Sequence, residues 1–144
     1  MSDLDIRRAE LLALKVMKTH ERLEAGYSAL FKAHGLSSPQ YNVLRILRGA
    51  RGEDLSCHEV GERLLKRVPD VTRLLDRLEQ RGLIERWRCQ EDRRVVRTRL
   101  TAAGLELVNS IDAPLQRLVA AQFGRYNERK LAQLDRLLDG LLDV

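Results

Sequence analysis

Apolar positions recur in a helical rhythm at both ends of the chain and alternate for a short stretch in between. Over residues 4–33, Leu4, Leu11, Leu14, Met17, Leu23, Tyr27, Leu30 and Phe31 build one helical stripe, which Leu12 and Val16 broaden. Gly35 ends that helix. Ser37 or Ser38, just ahead of Pro39, caps a second helix built on Tyr41, Val43, Leu44, Ile46 and Leu47. After the polar turn 48–54, Leu55-Ser56-Cys57 reads as a short strand. Ser56 is a cap for a helix from His58 to about Leu65, with Val60 and Leu64 facing inward. Lys66-Arg67-Val68 turns the chain into a further helix that Pro69 opens, and Val71, Leu74, Leu75 and Leu78 form its buried face. Gly82 stops it, and Leu83 and Ile84 begin a strand. Beyond the turn Gln90-Glu91-Asp92-Arg93, Val96, Thr98 and Leu100 alternate with Val95, Arg97 and Arg99, the period-two pattern of a half-buried partner strand.

The helical rhythm then returns. Thr101 caps a helix from near Ala102 to Phe123, which Pro114 is expected to bend. Asn127 caps a last helix with a nearly all-leucine face of Leu131, Leu134, Leu137, Leu138, Leu141 and Leu142. Its third position is Lys130, so no capping box is expected there. The pattern predicts a mainly α, single-domain protein over residues 1–144. Shorter helices and a small β-hairpin occupy about 36–104, between long helices at about 4–33 and 105–144. Those terminal helices carry more apolar surface than one small domain hides, which predicts a symmetric homodimer.

Charge adds a partner to this picture. Between Glu62 and Arg99 twelve basic side chains face seven acidic ones, and eleven of the twelve are arginine. The rest of the chain is balanced, so this quarter holds the whole formal net charge of +5. A polyanion is the natural partner for such a stretch, with a solvated arginine-rich face as the alternative. Little else in the sequence carries chemistry. The N-terminus has neither the apolar core of a signal peptide nor the length of a membrane span, which predicts a cytosolic protein with reduced cysteines. His20, His34 and His58 lack ligand spacing, and there is no phosphate-cradling glycine loop or nucleophile elbow. Neither metal, cofactor nor enzymatic activity is expected.

The run from Leu65 to Gly104 resembles the MarR family of bacterial transcription regulators, in which a recognition helix precedes a wing. Here the matching residues are Thr72-Arg73-Leu74-Leu75-Asp76-Arg77-Leu78-Glu79, Arg81-Gly82-Leu83, Asp92-Arg93-Arg94, and Leu100-Thr101 with Gly104. The resemblance extends upstream to Gly35–Tyr41 and, as helical pattern, to both termini. It implies a winged helix-turn-helix repressor that binds a pseudo-palindromic operator in double-stranded DNA as a homodimer. The recognition helix would enter the major groove and the wing the minor groove. Thr72 and Arg73 would approach base edges or nearby phosphates and Arg77 would clamp the backbone, with surface ion pairs to Asp70, Asp76 or Glu79 as the competing reading. Arg94 resembles the wing-tip arginine, and Asp92 the acid that orients it. Arg86 and Arg93 are candidate phosphate contacts, as are Arg88, Arg97 and Arg99, not all of which can face DNA at once, and Arg67 is a further candidate DNA-binding residue. Trp87 reads as wing packing.

The chain also departs from the family pattern. Relatives commonly have a small polar residue near Arg67 and a neutral one at Asp70, so the recognition helix is expected to be poorly capped. Asp70 either accepts from a cytosine amino group, favours the helix dipole or repels DNA. Relatives often release DNA on binding a small aromatic effector; Tyr27, Phe31, His34 and Tyr41 would line its cleft, or else serve as ordinary core. Others sense oxidants. Cys57 and Cys89 are the candidate thiols here, and the charge of Arg86 and Arg88 would lower the pKa of Cys89. Neither matches the N-terminal-helix cysteine of the peroxide-sensing branch. From a different class, a winged-helix protein-interaction module would present the same basic face to an acidic protein.

Overall fold

The computed structural model describes residues 2–143. Helix α1 (Asp3–Ala33) leads into α2 (Ser38–Gly49), strand β1 (Leu55–Ser56), α3 (Cys57–Arg63) and α4 (Val71–Gln80). The hairpin β2 (Ile84–Arg88) and β3 (Val96–Leu100) follows, and α5 (Ala102–Phe123) and α6 (Glu128–Leu142) complete the chain. The architecture is mainly α, as the apolar pattern predicts, and is the winged helix-turn-helix that the resemblance implies. The strands form an antiparallel sheet in the order β1-β3-β2. Leu55 lies opposite Thr98, and Ile84 opposite Leu100. The two-residue β1 therefore closes the free edge of the wing against the body of the domain.

One apolar core holds these elements together. Val43, Leu44, Val60, Leu75, Leu78, Ile84, Val108 and Ile111 are almost fully removed from water and come from α2, α3, α4, β2 and α5. Each such side chain contributes about 1.5–3 kcal/mol of burial. All but Ile84 of β2 lie on the apolar faces of the helices, so the amphipathic pattern translates directly into the packing. Arg48 of α2 adds a polar tie to α5, reaching Asp112 Oδ2 at 2.9 Å and Asn109 Oδ1 at 2.9 Å.

Helix starts follow their caps. Ser37 accepts from Gln40 N–H and Ser56 from Glu59 N–H, each within a complete capping box. Thr101 and Asn127 accept from Gly104 and Lys130 N–H, and α6 has no capping box, as expected. Pro114 lies inside α5 without interrupting it. The correction comes at α4. Its first residue is Val71, so Pro69 lies outside it, and Asp70 is the N-cap, accepting from Arg73 N–H at 2.9 Å. The recognition helix is thus well capped, because a carboxylate placed just before the first turn meets an orphan N–H and the positive end of the helix dipole. Replacing Asp70 with alanine is expected to cost about 1 kcal/mol, read as a lower urea midpoint at unchanged slope; an unshifted midpoint would remove the cap from the account.

The terminal helices behave differently from the rest. Every side chain from Ser2 to Arg22 is exposed, a length of about 30 Å of helix. So is every one from Gly124 to Asp143. Leu4, Leu11, Met17, Leu137, Leu141 and Leu142 all lie more than half in water. No helix among the described residues is long and apolar enough to cross a membrane.

Candidate nucleic-acid interface

The two faces of α4 separate by chemistry. Leu75 and Leu78 are buried in the core, Val71 and Leu74 are half-buried, and Thr72, Arg73 and Arg77 stand in solvent. The turn before α4 is held from outside itself. Asn42 Oδ1 on α2 accepts the backbone N–H of Leu65 at 2.8 Å, a contact across 23 positions that no local pattern signals. Arg81 closes the other end, donating to Gly35 O at 2.6 Å. Helix α4 is therefore anchored on both sides to the α1–α2 segment, leaving its outward face fixed in direction.

The basic stretch divides into engaged and free arginines. Arg86 on β2 donates to Asp76 and Glu79 of α4. Arg99 pairs with Glu85 across the hairpin, and Arg97 lies 3.7 Å from Glu59. Arg63, Arg67, Arg73, Arg77, Arg93 and Arg94 are exposed and make no ion pair among the described residues. The acidic side chains of the region are thus concentrated on the arginines of the sheet, while those of α4's outer face and the wing tip stay available. Arg86, expected as a phosphate contact, is engaged by two carboxylates because β2 runs alongside the edge of α4 that bears them. Arg97 is likewise held near Glu59 and Asp54 O, and Arg99 by Glu85.

The wing tip is ordered by its own backbone. Cys89 N–H donates to Val95 O and Val95 N–H to Asp92 O, both at 2.9 Å, which closes the loop between the strands. Asp92 Oδ1 accepts from the backbone N–H of Arg94 at 3.0 Å. The acid thus shapes the turn that carries Arg94 instead of gripping its guanidinium. Arg88 supports the same turn by donating to Arg93 O at 2.8 Å. Trp87 is half-buried with the guanidinium of Arg99 5.0 Å from its ring centre.

Tyr27, Phe31, His34 and Tyr41 come together where α1 meets α2. Phe31 and Tyr41 are buried and stacked with ring centres 4.0 Å apart, and Tyr27 lies 6.4 Å from Phe31. Tyr27 Oη donates to Gln122 Oε1 at 3.1 Å, and His34 Nδ1 lies 2.9 Å from Leu30 O. Tyr27 and His34 are the half-buried members of the group. Cys57 and Cys89 are both free thiols. The backbone N–H groups of Asp92 and Glu91 hold the Cys89 thiol below its ordinary pKa, and the arginine that adds to this is Arg97 of β3 where Arg86 and Arg88 of β2 were expected. Cys57 Sγ lies 3.6 Å from the buried Thr98 Oγ1.

Comparison with known proteins follows the same outline. A family model described as the MarR family matches residues 34–95. The chain is similar to a MarR transcription factor from Planctomyces limnophilus of known crystal structure. The two are 37% identical, the match covers 90% of this chain and 94% of that one, and the TM-score is 0.72. It is 31% identical over 115 residues to the HTH-type transcriptional regulator PapX of Escherichia coli, spanning 80% of this chain and 66% of that relative. A homoprotocatechuate degradative operon repressor of Escherichia coli is 25% identical over 128 residues, 89% of this chain and 85% of the repressor.

Proposed function

This chain belongs to the MarR family of transcriptional regulators, and on that premise we propose that it is a homodimeric repressor that binds a pseudo-palindromic operator in double-stranded DNA. The observation that carries the reading is the set of unpaired arginines on α4 and the wing tip, left free while neighbouring arginines are neutralised. Residues 36–104 form the DNA-binding part. Thr72 and Arg73 reach base edges or nearby phosphates in the major groove, and Arg67 and Arg77 hold the backbone. Arg93 and Arg94 enter or flank the adjacent minor groove, where negative potential is concentrated. Asp92 orients Arg94 through the turn, which reduces the chain entropy lost on binding. Asp70 serves the interface indirectly, as the cap of the helix that reads it.

Residues 4–33 and 105–144 form the dimerisation part, because the leucines exposed along α1 and α6 need a cover of similar extent and a second copy supplies it. The repressor sign of the reading is supported by the homoprotocatechuate relative. A small aromatic effector would enter beside Tyr27 and His34, the half-buried edge of the stack that joins α1 to the winged domain.

The test is fluorescence anisotropy with DNA obtained by random-site selection against a scrambled duplex. Wild type is expected to prefer the selected site, and Arg94→Ala to weaken that binding by about tenfold or more. If selection yields no preferred site and Arg94→Ala changes nothing, the basic face belongs to an acidic protein partner and the DNA reading falls.

A further inference from the structure

We infer that Arg86 is a positioning residue for sequence recognition: by holding Asp76 and Glu79 together it locks the recognition helix α4 to strand β2 of the wing and leaves Arg73 unpaired. The inference rests on the DNA-binding reading above. Arg86 Nε and Nη2 donate to Glu79 Oε2 at 3.0 and 2.6 Å, and Nη2 also donates to Asp76 Oδ1. Its side chain is only 14% exposed, whereas those of Asp76 and Glu79 are 46% and 40% exposed. A guanidinium so enclosed has little surface left to offer a phosphate.

The placement gives the contact leverage. Asp76 and Glu79 lie three residues apart on α4, so both project from one edge of the helix, where a planar fork engages them together. Arg86 sits in the middle of β2, opposite the fully buried Thr98 of β3, which in turn pairs with Leu55 of β1. The clamp therefore ties α4 to the centre of the sheet. It also decides the local ion pairing. Asp76 is three residues from Arg73, a spacing that favours a pair on a helix surface, yet its carboxylate is taken by Arg86 and Arg73 remains free. Loss of the clamp would let the helix and wing move independently and would turn Asp76 toward the arginine that is needed at the groove.

The variant Asp76→Asn/Glu79→Gln separates positioning from charge. It removes two negative charges beside the DNA face, so on electrostatic grounds every DNA should bind more tightly. Positioning predicts a split: tighter binding to the scrambled duplex, with the preference for the selected site reduced by about tenfold. Arg86→Gln should lower that preference by a similar factor, and the three substitutions combined should lower it no further, since all remove one contact. A preference within about twofold of wild type in Asp76→Asn/Glu79→Gln, or losses that multiply in the combined variant, would overturn the inference and return Arg86 to the phosphate contacts. Should Arg86→Gln fail to fold by circular dichroism, the carboxylate variant decides alone. A wild type without site preference sinks the DNA reading and this inference together; a selective wild type with an unchanged ratio in the carboxylate variant sinks only this inference.

Discussion

Replacing Gly104 with alanine is expected to destabilise the fold by about 3–5 kcal/mol and lower Tm by about 10 °C or more. Gly104 is buried in the first turn of α5, and a Cβ built there would overlap the carbonyl oxygen of Leu83. That carbonyl cannot retreat cheaply. It accepts the N–H of Thr101 at 3.1 Å, while Thr101 Oγ1 donates to Gly82 O at 2.6 Å and accepts from Gly104 N–H at 3.1 Å. On the remaining side Leu100 Cδ2 would stand 3.1 Å from the new methyl. The turn after α4, the end of β3 and the start of α5 thus meet at a point where backbone packs on backbone. Gly140→Ala is the control, since nothing lies within 4 Å of its position in α6 and a helical alanine there should stabilise by up to about 1 kcal/mol. Thermal unfolding of both variants checks the claim; a fall of less than about 3 °C for Gly104→Ala would mean that the close approach does not exist.

Gly104 also marks what a sequence can and cannot disclose. Its place in the Leu100-Thr101…Gly104 pattern was readable, but the reason for it was not, because the opposing carbonyl belongs to a residue twenty-one positions away and no periodicity points there. The same division runs through the molecule. Val60, Leu75 and Leu78 are legible as core from spacing alone, since burial follows the helix period. Ser56, Thr101 and Asn127 were identified as caps, since capping is local chemistry within three residues. The signal of Asp70 is equally local, since an Asp immediately before Val71 is a good cap, but a helix that starts at Pro69 hides it. Arg86 and Asn42 lay beyond reach for a different reason. Their partners are seven, ten and twenty-three residues distant and on other elements, so their roles depend on how those elements pack. Net charge indicated a polyanion partner, but only the ion pairs show which arginines are free to meet it.

That census of free arginines sets the expected salt dependence of DNA binding. Taking Arg67, Arg77, Arg93 and Arg94 as the phosphate neighbours of each subunit, a dimer neutralises about eight phosphates, and log K should fall with log salt at a slope of about −7. From about 50 to 200 mM salt the affinity for the selected site should therefore drop by about 10⁴-fold. A monomer carrying the same four arginines would give a slope of about −3.5 and a loss of only about 10²-fold. The slope thus counts subunits as well as charges, and it tests whether a second copy covers the exposed leucines of α1 and α6. Had Arg86, Arg97 and Arg99 been available as well, a dimer would approach about −13, so an intermediate value near −7 also discriminates free arginines from engaged ones. Anisotropy titrations at four or more salt concentrations, with light scattering to fix the stoichiometry of the free protein, measure this directly. A shallow slope from a protein that scatters as a dimer would mean that only one subunit engages DNA, which would contradict the palindromic operator; a shallow slope from a monomer would contradict the covering of the terminal helices by a second copy.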